Sequence, residues 1–298
     1  MTSLKRSKAD ADVDVVIVTF NSATDVAESV AAVRRWPRVA KVIVVDNAST
    51  DGSAEVADAC ADVVVRLPAN VGFGSAQNVG VAQTAAPFVL ALNPDARVAP
   101  EGLETGRDLM LAEPAVAAVQ GSIVRSEDGR EERWQGSEPT LADLAARLLR
   151  LRQRLGEERL ARLAKRLGAG YFSDRSVQSR HDVEFIAAVA PLLRRRALDD
   201  VGGFDRSYFL YAEDVDLCRR LRDKRWRVVA VPGPWATHDG GASSEGARAR
   251  QSWLWWESHR LLVSRHWKGP RRWAGLALSN AGRRLAARTE MGEPCPSH

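Results

Sequence analysis

The stretch DVVIVTF (residues 14–20) is an apolar run with the length and β-branched composition of a strand covered on both faces. Between it and the next such run, Val26, Val30 and Val33 recur at helical spacing. Strands that alternate with helices predict an α/β fold with a mostly parallel central sheet flanked by helices. The further runs are KVIVV (41–45), DVVVRL (62–67), PFVLALN (87–93) and VAAVQGSI (116–123).

The composition excludes several classes of protein. The chain has 298 residues and a formal net charge of +5, which favours one main core and an anionic partner. Cys60, Cys218 and Cys295 lie far apart, so they form neither a disulfide framework nor a zinc ligand set. The polar N-terminus lacks the apolar run of a signal peptide, and no stretch approaches the ~20 apolar residues that span a bilayer. These features predict a cytoplasmic protein.

Polar residues follow each of the first four apolar runs. Ligands of open α/β sheets bind beyond the carboxyl ends of the strands, so these residues are expected at one edge. A buried Asp there can accept a hydrogen bond from the ring N–H of a pyrimidine, and Asp46 is the candidate. The sequence contains neither the dinucleotide pattern G-x-G-x-x-G after the first strand nor a P-loop. The predicted ligand-binding residues at this edge are Thr19, Asn21, Asp46, Asn47, Asp51, Asn70, Gly72, Phe73, Asn78 and Asn93.

The triplet Asn93-Pro94-Asp95 follows the fourth run and would hold Asp95 at the mouth of a cleft. Mg²⁺ or Mn²⁺ on a diphosphate needs only one or two protein oxygens, because phosphate and water complete its shell. Taken alone, the triplet is more typical of a type I turn with Pro at its second position. His238, in the turn-rich stretch 232–243, is a second candidate ligand, although a lone His is more often a structural hydrogen bonder.

The stretch DDVGGFDRSYFLYAEDVDLCRRL (199–221) combines four aromatic residues with three acids near a helix start, a composition typical of a sugar pocket. Sugar transfer with inversion needs one carboxylate to take the proton of the attacking hydroxyl. It also needs a cation to stabilise the departing diphosphate. The predicted catalytic residues are Asp214, as the base, and its neighbour Glu213. Asp216 is expected to pair with Arg220 one helical turn later.

Together these motifs resemble glycosyltransferase family 2. The likeness is greatest to the bacterial rhamnosyltransferases that act on polyprenyl-linked cell-wall or O-antigen precursors. The motifs run in order over residues 14–243, and the ordered set is far more specific than any one of them. They are VVIVTFN (15–21), VVDNASTDGS (44–53), NVGFGSAQNVG (70–80), LNPDA (92–96), GGFDRSYFLYAEDVDLCRRL (202–221) and His238.

The resemblance implies a GT-A fold and an inverting hexosyltransferase that depends on Mg²⁺ or Mn²⁺. It implies that Asp95 binds the metal as the last member of a D-x-D-like triplet, that His238 completes the metal site, and that Asp214 is the base. It favours dTDP-rhamnose as the donor and leaves a UDP-sugar open, for galactofuranosyl or other hexosyl transfer. The residues that it implies hold the nucleotide are Thr19, Asn21, Asp46 and Asn70 to Asn78.

Two features depart from the family pattern. Asn93 stands in place of the first acid of the metal-binding triplet, which would weaken metal affinity. The segment FIAAVAP (185–191) stands where relatives carry an acceptor segment that contains Gly or Ser. The resemblance therefore supports a hydroxyl acceptor, such as a polyprenyl-linked glycan, without identifying it.

Two other functions fit the sequence less well. A sugar nucleotidyltransferase needs a Gly-rich loop with Lys or Arg after the first strand, and TFNSATDV (19–26) has neither glycine nor a basic residue. A nucleic-acid-binding protein would use the basic segment 141–167 and the basic tail. The acids at 213–216 and Asp95 would then repel the phosphates, so no nucleic-acid partner is expected.

The composition also predicts how the chain is divided. A flexible N-terminus (1–13) precedes a catalytic domain, and a basic, Trp- and Arg-rich helical tail (247–298) follows it. Basic residues mixed with Trp are typical of peripheral docking on an anionic membrane, here its inner face. Helices packed on the catalytic domain, with their arginines in water, explain the same pattern equally well. The catalytic domain (14–246) comprises a donor half (14–123), a helical insertion (137–170) and an acceptor half (180–246).

Overall fold

The computed structural model describes residues 11–156, 177–240 and 248–290, together with positions 159 and 162. Parts of the predicted N-terminus, helical insertion and tail therefore lie outside the described residues. The strands are β1 Val13–Thr19, β2 Val39–Asp46, β3 Val63–Arg66, β4 Phe88–Leu92, β5 Ala96–Val98, β6 Val116–Arg125, β7 Gln135–Gly136, β8 His181–Asp182, β9 Phe185–Ile186, β10 Leu192–Arg194 and β11 Arg227–His238. The helices are α1 Val26–Val33, α2 Ser53–Cys60, α3 Phe73–Val81, α4 Pro100–Ala112, α5 Leu141–Leu148, α6 Leu151–Leu155, α7 Arg195–Val201, α8 Glu213–Asp223, α9 Arg248–His266 and α10 Gly269–Glu290.

One large sheet runs through the described part of the chain. Its strand order is β3-β2-β1-β4-β10-β6-β11-β5, and β8 pairs with β11 outside this path. The pairs β2–β3, β1–β2, β1–β4 and β6–β11 are parallel. β10 runs antiparallel to β4 and β6, and β5 runs antiparallel to β11. The predicted α/β fold with a mostly parallel central sheet is therefore confirmed.

The centre of the sheet is inaccessible to solvent because helices pack closely against it. All seven residues of β1 are buried, as the β-branched run predicts. Gly80 of α3 shows how near the covering helix lies: a Cβ atom at this position would be only 2.2 Å from Cγ1 of Val16. A larger side chain there would push α3 away from the sheet. This close packing fixes the carboxyl ends of β1 and β2, where the predicted binding residues are found.

The two tail helices pack on the rest of the protein. Trp255, Trp256 and Trp267 are buried and form a second apolar cluster with Leu144 of α5. Leu262 of α9 belongs instead to the main core. Three of the tail's tryptophans therefore serve helix packing and are not exposed to a membrane.

Polar contacts also join α9 to the segment before α8. The Oγ of Ser258 donates a hydrogen bond to the carbonyl of Leu210 at 2.7 Å, and Arg265 pairs with Asp205. His266 Nε2 lies 2.7 Å from Oδ1 of Asp216 in α8. Among the described helices, none combines the length and the apolar character needed to cross a membrane.

Candidate active site

The ends of β1 and β2 carry two buried side chains with unused polar atoms. Thr19 and Asp46 are direct neighbours in the parallel register, and both are buried. Oδ2 of Asp46 accepts a hydrogen bond from the backbone N–H of Ser49 at 3.2 Å. Oγ1 of Thr19 and Oδ1 of Asp46 have no hydrogen-bond partner in the described structure. Because buried polar atoms are almost always paired, these two atoms are suited to hydrogen-bond a ligand at this edge.

The residues Asn21 and Asp51 shape the loops beside this pair. Oδ1 of Asn21 accepts a hydrogen bond from the backbone N–H of Thr50 at 2.9 Å, while Asn21 itself adopts a left-handed φ of 52°. The carboxylate of Asp51 accepts hydrogen bonds from Ala23 and Ser53. Burial alone would raise the pKa of Asp51, but these hydrogen bonds outweigh it and lower the pKa. Both side chains therefore hold the loop that borders the edge.

A pair of asparagines fixes the loop that leads into α3. Nδ2 of Asn47 donates to Oδ1 of Asn70 at 2.9 Å, and the same Asn70 oxygen accepts from the N–H of Gly72 at 3.0 Å. Gly72 has a φ of 85°, and a Cβ atom there would lie 2.3 Å from the carbonyl oxygen of Phe209. The N–H of Phe73 donates to that same carbonyl at 2.9 Å. The loop is thereby held against the segment before α8.

The side-chain amide of Asn78 forms hydrogen bonds within the protein. Its Nδ2 donates to the carbonyl of Phe204 at 2.7 Å, and its Oδ1 accepts from the N–H of Phe204 at 2.9 Å. Gly203 adopts a φ of 71°, and a Cβ atom there would lie 2.4 Å from that Oδ1. Asn78 therefore connects the two halves of the catalytic region, and its predicted contact with nucleotide remains a prediction.

His238 lies between two acidic side chains. Its Nε2 is 3.2 Å from Oδ1 of Asp95, and its Nδ1 is 3.0 Å from Oε2 of Glu132. The antiparallel pairing of β5 with β11 produces the first contact, because it aligns His238 with Ala96. Asn93 lies beside the group, with its Nδ2 3.5 Å from Nε2 of His238.

The contacts of His238 shift the pKa values of Asp95 and of His238 itself. Burial alone would raise the pKa of Asp95, but the hydrogen bond and charge of His238 outweigh it and lower the pKa. Burial alone would lower the pKa of His238, but the hydrogen bonds to Asp95 and Glu132 raise it to about 10. Glu132 was not among the residues predicted from sequence, because no motif or periodicity distinguishes it from its neighbours in 127–132.

The residues at this position fit a divalent cation that is shared with a substrate. A carboxylate from Asp95 and an imidazole nitrogen from His238 are both ligand types that such ions accept. Glu132 holds the other ring nitrogen, as is usual for metal-binding histidines. Within the described residues, no three or more His, Cys, Asp or Glu side chains are grouped to hold a metal ion. Phosphate oxygens and water would therefore complete the shell.

The predicted base lies at the strained start of α8. Tyr211 and Ala212 both adopt left-handed φ values, 70° and 60°, which are unusual for residues other than glycine. Oδ1 of Asp214 accepts from the N–H of Val215 at 2.8 Å, and Oδ2 accepts from the N–H of Ala188 at 3.3 Å. Both hydrogen bonds fix the direction of the carboxylate.

Burial raises the pKa values of the two neighbouring carboxyl groups of Glu213 and Asp214. It raises the pKa of Asp214. Burial also raises the pKa of Glu213, and the negative charge of Asp214 raises it further. Oε2 of Glu213 is buried and has no hydrogen-bond partner among the described residues. A carboxylate with a raised pKa accepts a proton more readily, which suits the role predicted for Asp214.

One short segment connects the predicted base to the predicted metal-binding group. Ala188 donates to Asp214, and the carbonyl of the next residue, Val189, accepts from the N–H of Asn93 at 2.8 Å. Asn93 is two residues before Asp95. The segment 187–189 therefore holds Asp214 and Asp95 at the same end of the sheet. In the sequence, this segment stands out only as part of 185–191, which departs from the family pattern.

Asp216 is held by the protein on several sides. Its carboxylate is 2.7 Å from Nε of Arg220, as predicted, and 2.7 Å from Nε2 of His266 in α9. The hydroxyl of Tyr208 donates to it at 3.4 Å. Asp216 is therefore a structural residue that ties α8 to the tail.

We predict that Glu132→Ala weakens Mn²⁺ binding about tenfold or more, because the ring of His238 loses the group that orients it. His238→Ala should weaken binding at least as much. The affinity is measured by electron paramagnetic resonance of free Mn²⁺ in the presence of UDP. The control is Glu127→Ala, which removes the same charge from an exposed position. Mn²⁺ binding by Glu132→Ala that matches the unmodified protein would contradict this assignment.

Comparisons with known proteins agree on one family. The family model described as glycosyl transferase family 2 matches residues 14–202. The N-acetylglucosaminyl-diphospho-decaprenol L-rhamnosyltransferase of Mycobacterium tuberculosis is 29% identical over 285 residues, which cover 87% of this chain and 87% of that protein. Succinoglycan biosynthesis protein ExoU of Rhizobium meliloti is 27% identical over 268 residues, which cover 86% of this chain and 70% of that protein.

Solved structures share the fold at low sequence identity. Mannosyltransferase PcManGT from Pyrobaculum calidifontis, in complex with GDP-Man and Mn²⁺, superposes with a TM-score of 0.54 at 17% identity, covering 96% of this chain and 76% of that one. TarS of S. aureus (residues 1–349) superposes with a TM-score of 0.52 at 15% identity, covering 96% and 75%. With the family model matching most of the chain, this protein belongs to glycosyl transferase family 2 and is a glycosyltransferase with the GT-A fold.

Proposed function

We propose that this glycosyltransferase moves a sugar, with inversion, from a nucleotide-diphosphate donor to a hydroxyl acceptor in cell-wall or polysaccharide biosynthesis. One observation carries the proposal. Asp95 with His238 lies on one side of segment 187–189 and Asp214 lies on the other, at the same end of the sheet. A direct displacement at a sugar carbon needs a cation on the leaving group and a base on the attacking hydroxyl. This arrangement supplies a place for both.

The donor nucleotide would bind where Thr19 and Asp46 present unused oxygen atoms. Thymine and uracil both carry a ring N–H that such an oxygen can accept, so dTDP- and UDP-sugars both fit the chemistry. The named activity of the mycobacterial relative, an L-rhamnosyltransferase, favours dTDP-rhamnose. A UDP-sugar donor is the second candidate.

The acceptor is proposed to be a polyprenyl-linked glycan. The mycobacterial relative is named for N-acetylglucosaminyl-diphospho-decaprenol. That likeness extends over 87% of this chain and therefore reaches into the acceptor half as well as the donor half. A lipid-linked acceptor also agrees with the net positive charge of the chain.

The chemistry would then use few groups. Asp95 and His238 would hold a divalent cation, which would supply the positive charge that stabilises the departing diphosphate. Asp214 takes the proton of the acceptor hydroxyl. At the same time the hydroxyl oxygen bonds to the anomeric carbon, and the bond from that carbon to the diphosphate oxygen breaks. The hydrogen bonds from Ala188 and Val215 hold the carboxylate in one direction, so little ordering is required when the acceptor arrives.

The tail is proposed to touch an anionic membrane through α10. Trp273 is 70% exposed, unlike the three buried tryptophans. Positions 273, 277, 280, 284 and 288 recur at helical spacing and are all exposed, and the last two are Arg284 and Arg288. An exposed Trp with nearby arginines suits the boundary between water and an anionic lipid surface. Arg260, Arg265 and Arg283 form ion pairs within the protein and are less suited to bind lipid.

We predict that Asp214→Asn lowers sugar transfer by at least about a hundredfold, because the proton acceptor is lost, while donor binding stays within about twofold. A panel of dTDP- and UDP-sugars with Mg²⁺ or Mn²⁺ is assayed for release of the nucleoside diphosphate, and donor binding is measured by calorimetry. Asp223→Asn, an exposed position on the same helix, is the matched control. Turnover by Asp214→Asn at the unmodified rate would refute the mechanism.

For the membrane contact, we predict that Trp273→Ala combined with Arg284→Ala reduces binding to vesicles containing anionic lipid about fivefold or more. Vesicles of phosphatidylcholine alone should bind the protein weakly in either form. Sedimentation with the vesicles measures the bound fraction. Arg35→Ala combined with Leu111→Ala removes one charge and one exposed apolar side chain elsewhere and serves as the control. Equal sedimentation of the α10 variant and the unmodified protein would exclude this face.

A further inference from the structure

A cavity of about 360 Å³ lies between the segment before α8 and the first half of α9. Phe209 lines it from the segment before α8, and Trp253, Leu254 and Leu261 line it from α9. The hydrogen bond from Ser258 to the carbonyl of Leu210 at 2.7 Å joins these two parts of the chain. The volume is within the range of pockets that hold small ligands.

The cavity adjoins the predicted donor site through a single residue. The carbonyl of Phe209 accepts the N–H of Phe73 at 2.9 Å and lies against Gly72, so the loop before α3 rests on the backbone of Phe209. Asp214 is five residues further along the chain, after the left-handed pair Tyr211 and Ala212. A molecule in this cavity would therefore be separated from the nucleotide loop by Phe209, with the predicted base close by in the chain.

The two charged residues that line the cavity, Glu257 and Arg250, differ in their ion pairing. Glu257 is 2.7 Å from Arg260 and 2.6 Å from Arg283, so its carboxylate is already neutralised. Burial raises the pKa of Glu257, but the hydrogen bond from Arg260 is the larger effect and lowers it, which keeps the group ionised. Arg250 forms no ion pair or hydrogen bond with any residue that the structure describes. Of the two charged residues that line the cavity, Arg250 is therefore the one without an ion-pair partner among the described residues.

We infer that this cavity is an acceptor subsite that takes a sugar bearing a phosphate or diphosphate group. Arg250 would bind the phosphate oxygens, because a guanidinium matches phosphate geometry. Phe209 and Trp253 would lie against the apolar face of the sugar ring. The inference rests on the proposed function, which requires a second substrate beside the donor. The phosphate can belong to a lipid-linked diphosphate or to a free sugar phosphate.

Binding calorimetry distinguishes these sources and isolates the contribution of the charge. The full chain, loaded with UDP and Mn²⁺, is titrated with three compounds. They are N-acetylglucosamine diphosphate linked to a short prenyl chain, N-acetylglucosamine 1-phosphate, and octyl N-acetylglucosaminide, which carries no phosphate. A lipid-linked acceptor predicts tight binding of the first compound and weaker binding of the second, whereas a free sugar phosphate predicts equal binding of both. Either order supports the subsite if both phosphorylated compounds bind more tightly than the neutral one.

Arg250→Ala should weaken binding of the tighter phosphorylated compound about tenfold and binding of the neutral compound less than twofold. Trp253→Ala should weaken binding of all three compounds, and Trp253→Phe should restore much of it, which separates loss of the ring from loss of folding. Arg35→Ala, which removes an exposed charge far from the cavity in sequence, should change nothing. The inference is overturned if no phosphorylated compound binds the unmodified protein, or if Arg250→Ala binds them as tightly as before.

Release of nucleoside diphosphate from the donor in water, without acceptor, keeps the two claims apart. The unmodified protein should release nucleoside diphosphate slowly, because water can replace the acceptor hydroxyl, and Arg35→Ala should do so at the same rate. If no donor is hydrolysed and none binds, the proposed function fails. If donors are hydrolysed normally and Arg250→Ala has no effect on the phosphorylated compounds, the acceptor subsite alone fails.

Discussion

The arrangement of the active site depends on the hydrogen bonds made by segment 187–189. On one side, the N–H of Ala188 binds the carboxylate of Asp214, and on the other, the carbonyl of Val189 binds the N–H of Asn93. The residues that would carry the base and the cation come from α8 and from the turn after β4, which are distant in sequence. Backbone hydrogen bonds to this turn, in which Val189 is buried, restrict their relative movement. Substitutions that displace this segment should disturb both groups together.

The tail helices contribute to the same construction from outside. His266 and Arg220 contact Asp216, one turn after the start of α8, and Ser258 contacts the carbonyl of Leu210 just before it. The start of α8 includes two left-handed residues, a conformation that persists only where surrounding contacts hold it. The tail therefore does more than provide a basic surface, because it supports the segment that carries the predicted base.

Much of the fold could be predicted from the sequence because its strands are continuous runs of β-branched residues. β1 was expected at 14–20 and is found at Val13–Thr19, and β4 was expected at 87–93 and is found at Phe88–Leu92. Polar residues at the ends of the parallel strands are predicted to meet. The pairing of Thr19, at the end of β1, with Asp46, at the end of β2, agrees with this. Parallel topology alone is sufficient for that result.

Other parts of the site depend on pairings between distant segments, which local patterns do not reveal. The contact of Asp95 with His238 follows from the antiparallel pairing of β5 and β11, and before the structure only the family resemblance favoured it. Glu132 carries no sequence signal for its contact with His238. Asn78 fits a family motif, yet both ends of its amide bind the backbone of Phe204. Charge and Trp content could not separate the buried Trp255 from an exposed one, because that difference is set by tertiary packing.

The central claim is that a cation held by Asp95 and His238 and the carboxylate of Asp214 act on the same sugar carbon. The most direct measurement is a crystal structure of Asp214→Asn with Mn²⁺ and the donor that the panel selects. The account predicts Mn²⁺ bound to Asp95, His238 and the diphosphate, with the side chain at position 214 facing the anomeric carbon from the side opposite the diphosphate. Mn²⁺ bound away from Asp95, or a sugar that does not face position 214, would contradict it.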